Sequence, residues 1–188
     1  MDLFGAAVTG DVKTLHFLLE SGENPNQQND KGWTALMIAC CHGYVDFVEE
    51  LLKHNADVSI QDEDGWTALM CCSRYNHPQV IKLILDQDQN IDISNKSKMT
   101  ALTLAASENK KEAVELLAPV SNIRNRSHAL LFAAGKNYPA IVDILLEYNI
   151  NLDYTRDGYS AFDLARSMKN TDILIKLYLA RSNQLPIR

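Results

Sequence analysis

Gly32-Trp33-Thr34-Ala35-Leu36-Met37 returns unchanged as Gly65-Trp66-Thr67-Ala68-Leu69-Met70, 33 residues further on. A weaker copy, Met99-Thr100-Ala101-Leu102, keeps the same 33-residue step. Self-similarity at a fixed period of this size marks a repeat architecture, in which each unit is one supersecondary element that cannot bury its apolar face alone. Stability then comes from the stacking of neighbours rather than from one central core.

Between the copies runs a constant grammar. After Thr-Ala-Leu comes a short helical stretch with small residues (Ala39, Cys40; Cys72, Ser73; Ala105, Ala106), stopped by Gly43, Asn76 or Asn109. A second, more apolar helix follows and ends in Leu51-Leu52, Ile84-Leu85 or Leu116-Leu117. The pattern resembles the ankyrin repeat, whose signature is Thr-Pro-Leu-His-x-Ala at about this period. It departs from the family consistently. Ala35, Ala68, Ala101 and Ala161 stand where the family prefers Pro, and Met or Thr stands where it prefers His. The resemblance covers nearly the whole chain. It implies an all-α fold, an ankyrin-repeat solenoid of stacked helix-turn-helix units with short hairpin fingers.

On this phase residues 1–181 read as one repeat domain, with approximate units 1–28, 29–61, 62–94, 95–122, 123–154 and 155–181, followed by a loose tail over 182–188. The first unit starts at its first helix, has its second helix closed by Gly22, and reads as an N-terminal cap. In the second, Asn29-Asp30-Lys31-Gly32 is a tight turn, since Asn makes an Asx turn and Gly accepts positive φ. Thr34 then caps the following helix for ~1 kcal/mol, and Val45, Val48, Leu51 and Leu52 are the expected buried stripe of the helix after it. In the third unit Asn76 replaces the stopping glycine, Pro78 opens the second helix, and Asp86 to Asn90 carry about two extra residues.

The fourth and fifth units are less regular. Lys98 stands at the turn-glycine position, so its turn is either strained by ~1–2 kcal/mol or of another type. Ala118-Pro119 cuts the second helix short, and only 28 residues separate Ala101 from its equivalent Ala129. That five-residue shortfall truncates a finger and predicts a loosened junction over 118–128. Pro139 opens an apolar helix through Leu146, with Asn149 expected as its C-cap. The last helix is expected over 172–180, with Lys169, Lys176 and Arg181 as the polar outer positions of a C-terminal cap.

Charged residues are 22% and apolar ones 46% of the 188-residue chain, an ordinary balance for a folded protein. A net charge of -6 disfavours nucleic acid, which needs a basic face. No apolar run reaches the roughly 18 residues of a membrane span, and Met1-Asp2-Leu3-Phe4 lacks a basic signal-peptide region. Four cysteines in two adjacent pairs point to a reducing compartment. The expectation is a cytosolic or nucleocytoplasmic monomer.

No nucleophile–base pair, phosphate loop or His-Glu-x-x-His spacing appears, so no catalytic, cofactor-binding or metal-binding residue is assigned. Adjacent helical cysteines point about 100° apart and do not converge on one ion, so Cys40 and Cys72 read as small core residues. The resemblance implies that fingers and first helices form a concave binding surface. Trp33, Trp66, Met99 and Tyr159 fall there at one phase, joined by Cys41, His42, Arg74, Tyr75 and Glu108, with Asp30, Lys31, Glu63 and Asp64 at the finger tips. Trp, Tyr and Arg together are what interface hot spots use. The expected function is protein–protein recognition, with a protein or peptide as partner. The alternative is a targeting or inhibitory module of a larger enzyme or effector. A purely structural aromatic ladder is the competing reading of the two tryptophans.

Overall fold

The computed structural model describes residues 2–87 and 90–184, the Gln184 side chain excepted. Two of the expected extra residues, 88 and 89, and the tail from 185 onward lie outside the described residues. Among the described residues twelve helices succeed one another: α1 (Leu3–Thr9), α2 (Val12–Glu20), α3 (Ala35–His42), α4 (Val45–Lys53), α5 (Ala68–Tyr75), α6 (Pro78–Leu85), α7 (Ala101–Ser107), α8 (Lys111–Leu117), α9 (Ile123–Gly135), α10 (Pro139–Leu146), α11 (Ala161–Ser167) and α12 (Thr171–Gln184). A two-stranded antiparallel hairpin, β1 (Thr155–Arg156) and β2 (Tyr159–Ser160), precedes α11. This is an all-α solenoid of stacked helix-turn-helix units. The contacts divide into two compact units, one ending at Ala101 and the other beginning at Leu102.

In the first unit, first helices stack on first helices (α1 on α3, α3 on α5) and second on second (α2 on α4, α4 on α6). The stack is close because the facing residues are small: Ala6, Ala7, Ala39, Cys40 and Cys72 are wholly buried. The Thr34 and Thr67 hydroxyls accept the N–H of Met37 and Met70 at 3.2 and 3.3 Å, capping α3 and α5 as expected. Gly43 and Asn76 end those helices at φ 73° and 62°. At Gly43 a side chain would be excluded twice over, since a Cβ there would lie 2.4 Å from Nδ1 of His77.

That close approach has a purpose. His77 reaches back to the Cys41 carbonyl at 3.0 Å, and Tyr44 donates to the Val8 carbonyl at 3.4 Å. In the second unit Asn170 donates to the Ala134 carbonyl at 2.8 Å. Each pair is 36 residues apart. In α4, α6 and α12 the residue opening the second helix therefore satisfies a carbonyl that the preceding first helix leaves without an intrahelical partner.

The fingers repeat as closely. Asn29 Oδ1 accepts from the N–H groups of Lys31 and Trp33, both at 3.0 Å, and Asp62 Oδ1 does the same for Asp64 and Trp66. Successive fingers are laced together, Glu63 N–H donating to Lys31 O at 3.2 Å and Lys96 N–H to Asp64 O at 2.9 Å. Gly32 has φ 78°, and a Cβ on it would stand 2.9 Å from the Glu63 nitrogen. Lys98 takes the same turn at φ 59°, with its N–H on the Asn95 carbonyl at 2.8 Å. The turn type is kept, and the lysine carries the left-handed strain.

Several expectations are corrected. In α4 the buried stripe is Phe47, Val48 and Leu51; Val45 and Leu52 are only half-buried. Val45 opens the helix, so the inward face falls two residues later, on Phe47. The C-cap of α10 is Glu147, not Asn149. The shortfall at 118–128 is met in a way that the spacing does not predict. The missing finger is replaced by extra helix, α9 running 13 residues from an Asn122 side-chain cap on Asn125 N–H at 2.9 Å. Arg126 ties this turn to the Ala118 carbonyl, and Ser127 Oγ accepts from Asn151 N–H at 2.9 Å. The last helix runs beyond 180 to Gln184 and is not uniformly polar outside. Lys176 and Arg181 reach back to Asp143 and Asp153, while Ile175, Tyr178 and Leu179 stand exposed.

Candidate functional site

Asx turns hold the two tryptophans at one phase, each ring half-buried at the root of a finger. They do not stack on each other: among the described residues no ring pair joins Trp33 to Trp66. Instead the Arg74 guanidinium lies 5.4 Å from the Trp66 ring centroid and 5.9 Å from that of Tyr75. Arg74 comes from the last turn of α5, where a cation also faces the negative end of the helix dipole. A guanidinium within reach of two rings is held by cation–π attraction, and Arg74 is exposed. Tyr75 is 53% exposed.

Cys41 lies beside this cluster, half-buried at the end of α3. The Cys71 thiol donates to its sulfur and, with Arg74 nearby, holds the Cys41 thiol below the usual range. The same contact and burial push Cys71 well up, and burial does so for Cys40. His42 is exposed and stacks on Tyr44, 5.2 Å between centroids, rather than on a tryptophan. Asp30, Lys31, Glu63 and Asp64 line the exposed finger edge, and Met99 is half-buried at the next finger root. Trp66, Arg74, Tyr75 and Cys41 are thus brought together, and His42 is turned aside.

The remaining two expected residues belong to the second unit. Glu108 is exposed just after α7. Tyr159, 59% exposed, lines a cavity that sequence reasoning missed, with His128, Leu131 and Phe132 of α9, Arg156 and Asp157 of the hairpin, and Leu164 of α11. Arg156 Nη1 donates to His128 Nε2, so the imidazole is the neutral tautomer with its proton on Nδ1. Burial, with Arg156 and Arg124 nearby, brings the His128 pKa down to about 4. The available signal was the pair Arg124 and Arg126 just ahead of His128.

Among the described residues no group of three or more His, Cys, Asp or Glu is placed to hold a metal ion. Nor is any helix long and apolar enough to cross a membrane. A family model described as ankyrin repeats in three copies matches residues 3–96, 56–127, 88–156 and 104–184. The chain belongs to the ankyrin-repeat family. No curated protein matches it in sequence.

Proposed function

We propose that this ankyrin array is a non-catalytic recognition module that holds a protein or peptide partner against the first helices and fingers of its second and third repeats. The observation that carries this reading is the Trp66–Arg74–Tyr75 cluster, with an exposed Arg74 within cation–π distance of both rings. A structural ladder would pair the indoles with one another. Here they are separate, and the aromatic surface is joined to a cation that no packing role requires. Trp33 and Met99 extend the surface along the finger roots, and Asp30, Lys31, Glu63 and Asp64 give it a rim of both signs that sets register. The interlaced finger hydrogen bonds pre-organise it, which lowers the entropic cost of binding.

The test is affinity purification from the native cell with two baits, the wild-type chain and a Trp66→Ala/Arg74→Ala variant, followed by mass spectrometry and reconstitution of any difference. A purified partner that binds wild type directly and the folded variant at least tenfold more weakly supports the reading. Equal binding by both baits sinks it.

A further inference from the structure

The cavity in the second unit has a volume of about 460 Å³, within the roughly 300–1,000 Å³ of ligand sites. Its walls are mostly apolar, from Leu131, Phe132, Leu164 and the Tyr159 ring. Its polar edge is made by Arg156, Asp157 and His128, and the guanidinium among them is held in place. Arg156 donates to His128, which is only 5% exposed, and lies 5.8 Å from the Phe132 ring centroid. The hairpin carrying Arg156 and Tyr159 is pinned from its other end, where Ser160 and Asp163 cap α11 reciprocally. Site and donor are therefore formed before anything binds.

The charge around this cavity runs against that of the chain. Arg124 and Arg156 both act on His128, and the opposing carboxylate is Asp157. Asp157 is a weak opponent: its side chain is 87% exposed and lies 3.6 Å from Arg156 Nε. A pair so exposed is worth little, and an incoming carboxylate that also buries apolar surface replaces it. Against a net charge of -6 this is a local basic spot with an apolar floor.

We propose that this cavity takes the large apolar side chain of a partner protein segment that carries an acidic residue beside it, the ring or branched chain against Phe132 and Leu164 and the carboxylate on Arg156. The proposal rests on the reading of the chain as a recognition module, and adds a second contact point with a stated chemistry.

The experiment is an amide-detected NMR titration of the full chain with three probes: acetyl-Asp-Phe-amide, acetyl-Lys-Phe-amide and phenylpropionate. The acidic dipeptide is expected to shift Leu131, Phe132, Tyr159 and Leu164 saturably. The basic dipeptide should bind about tenfold more weakly or worse, the low end of what one charge-assisted hydrogen bond is worth. Arg156→Gln should erase that difference. Tyr159→Ala, at an exposed position that folding does not need, should weaken the acidic dipeptide severalfold. Equal binding of both dipeptides to wild type overturns the proposal, as do shifts that map elsewhere. Phenylpropionate binding as tightly as the dipeptide overturns it in favour of a free carboxylic acid. Concentration-dependent shifts at these residues without probe overturn it in favour of a second copy. Trp66→Ala should leave the titration unchanged, so failure here and failure of the Trp66 surface are separate results.

Discussion

Lys98 makes the same backbone turn as Gly65: their φ angles are 59° and 80°, and each N–H donates to the carbonyl three residues back, on Asn95 and Asp62. A lysine there pays roughly 1–2 kcal/mol for a left-handed backbone that glycine adopts freely. Lys98→Gly is therefore expected to raise stability by about 1 kcal/mol, part of the relief being lost to the entropy of the unfolded glycine. Gly32→Ala should do the reverse by a larger amount, because its Cβ would meet the Glu63 backbone nitrogen at 2.9 Å. Urea midpoints at constant slope measure both. A lower midpoint for Lys98→Gly would mean that the lysine side chain, not the turn, sets the energy at this position.

How much of this was legible follows from which interactions are local. The 33-residue phase, the Asx turns at Asn29 and Asp62 and the Thr34 and Thr67 caps all act within four residues, so the pattern carried them. The back-bonding of Tyr44, His77 and Asn170 acts over 36 residues and is done by three different residue types, so no motif announces it. The extra turn of α9 was hidden for another reason: Ile123-Arg124-Asn125-Arg126 has no apolar period, and what holds it is the Asn122 cap. In the candidate site, the phase placed Trp66 and Arg74 on one surface but could not show the guanidinium lying over the ring. His128 and Arg156 meet across 28 residues, a separation that no local pattern announces.

Histidines shifted in opposite directions from the usual 6.5 should make stability depend on pH in two directions. His54 Nδ1 meets the Glu50 carbonyl at 3.0 Å and Nε2 meets Glu20 at 3.3 Å, and these partners raise its pKa above the usual 6.5. Its contribution is complete below 6.5 and is lost as pH rises through the folded value. Glu50 is held below its usual 4.5 by His16 and Lys53, so its contribution is lost as pH falls through the lowered value. His128, brought down to about 4, refuses a proton that the unfolded chain accepts near 6.5, so stability declines as pH falls between those values. Imidazole NMR signals should show His54 titrating above 6.5 and His128 near 4. A shared midpoint near 6.5 would contradict both environments.

The cysteines should behave as packing residues with one exception. Cys40 and Cys72 are fully buried, and Cys71 almost so. Neither chelator nor reductant should move the thermal midpoint by more than a degree or so, and a fall of several degrees with either would refute the packing role. Cys41, half-buried with its thiol held down by Cys71 and Arg74, is expected to be alkylated first by iodoacetamide in the native state. Peptide mapping after brief labelling reads this directly. Labelling of Cys40 or Cys72 ahead of Cys41 would place the α3–α5 contact wrongly.

The two tryptophans share a phase and a turn, yet they should not be equal. Trp66 has Arg74 over its ring, and the same guanidinium lies near the Tyr75 ring, whereas among the described residues no such cation lies over Trp33. A large ring held by its neighbours loses little freedom on binding, and truncating such an anchor typically costs ~2 kcal/mol or more. Trp66→Ala is therefore expected to keep its circular dichroism and weaken partner binding by about tenfold or more, with Trp33→Ala weaker in effect. The fold should survive because the capping hydroxyl, the Asx turn and the finger ladder next to Trp66 are made by other side chains and by backbone. Arg74→Ala should reproduce part of the loss, and the double variant should lose less than the sum, since residues in contact are not additive. If Trp66→Ala unfolds, the indole is a structural support. If it folds and binds the partner normally, the anchor lies elsewhere and the recognition surface assigned to the second and third repeats is wrong.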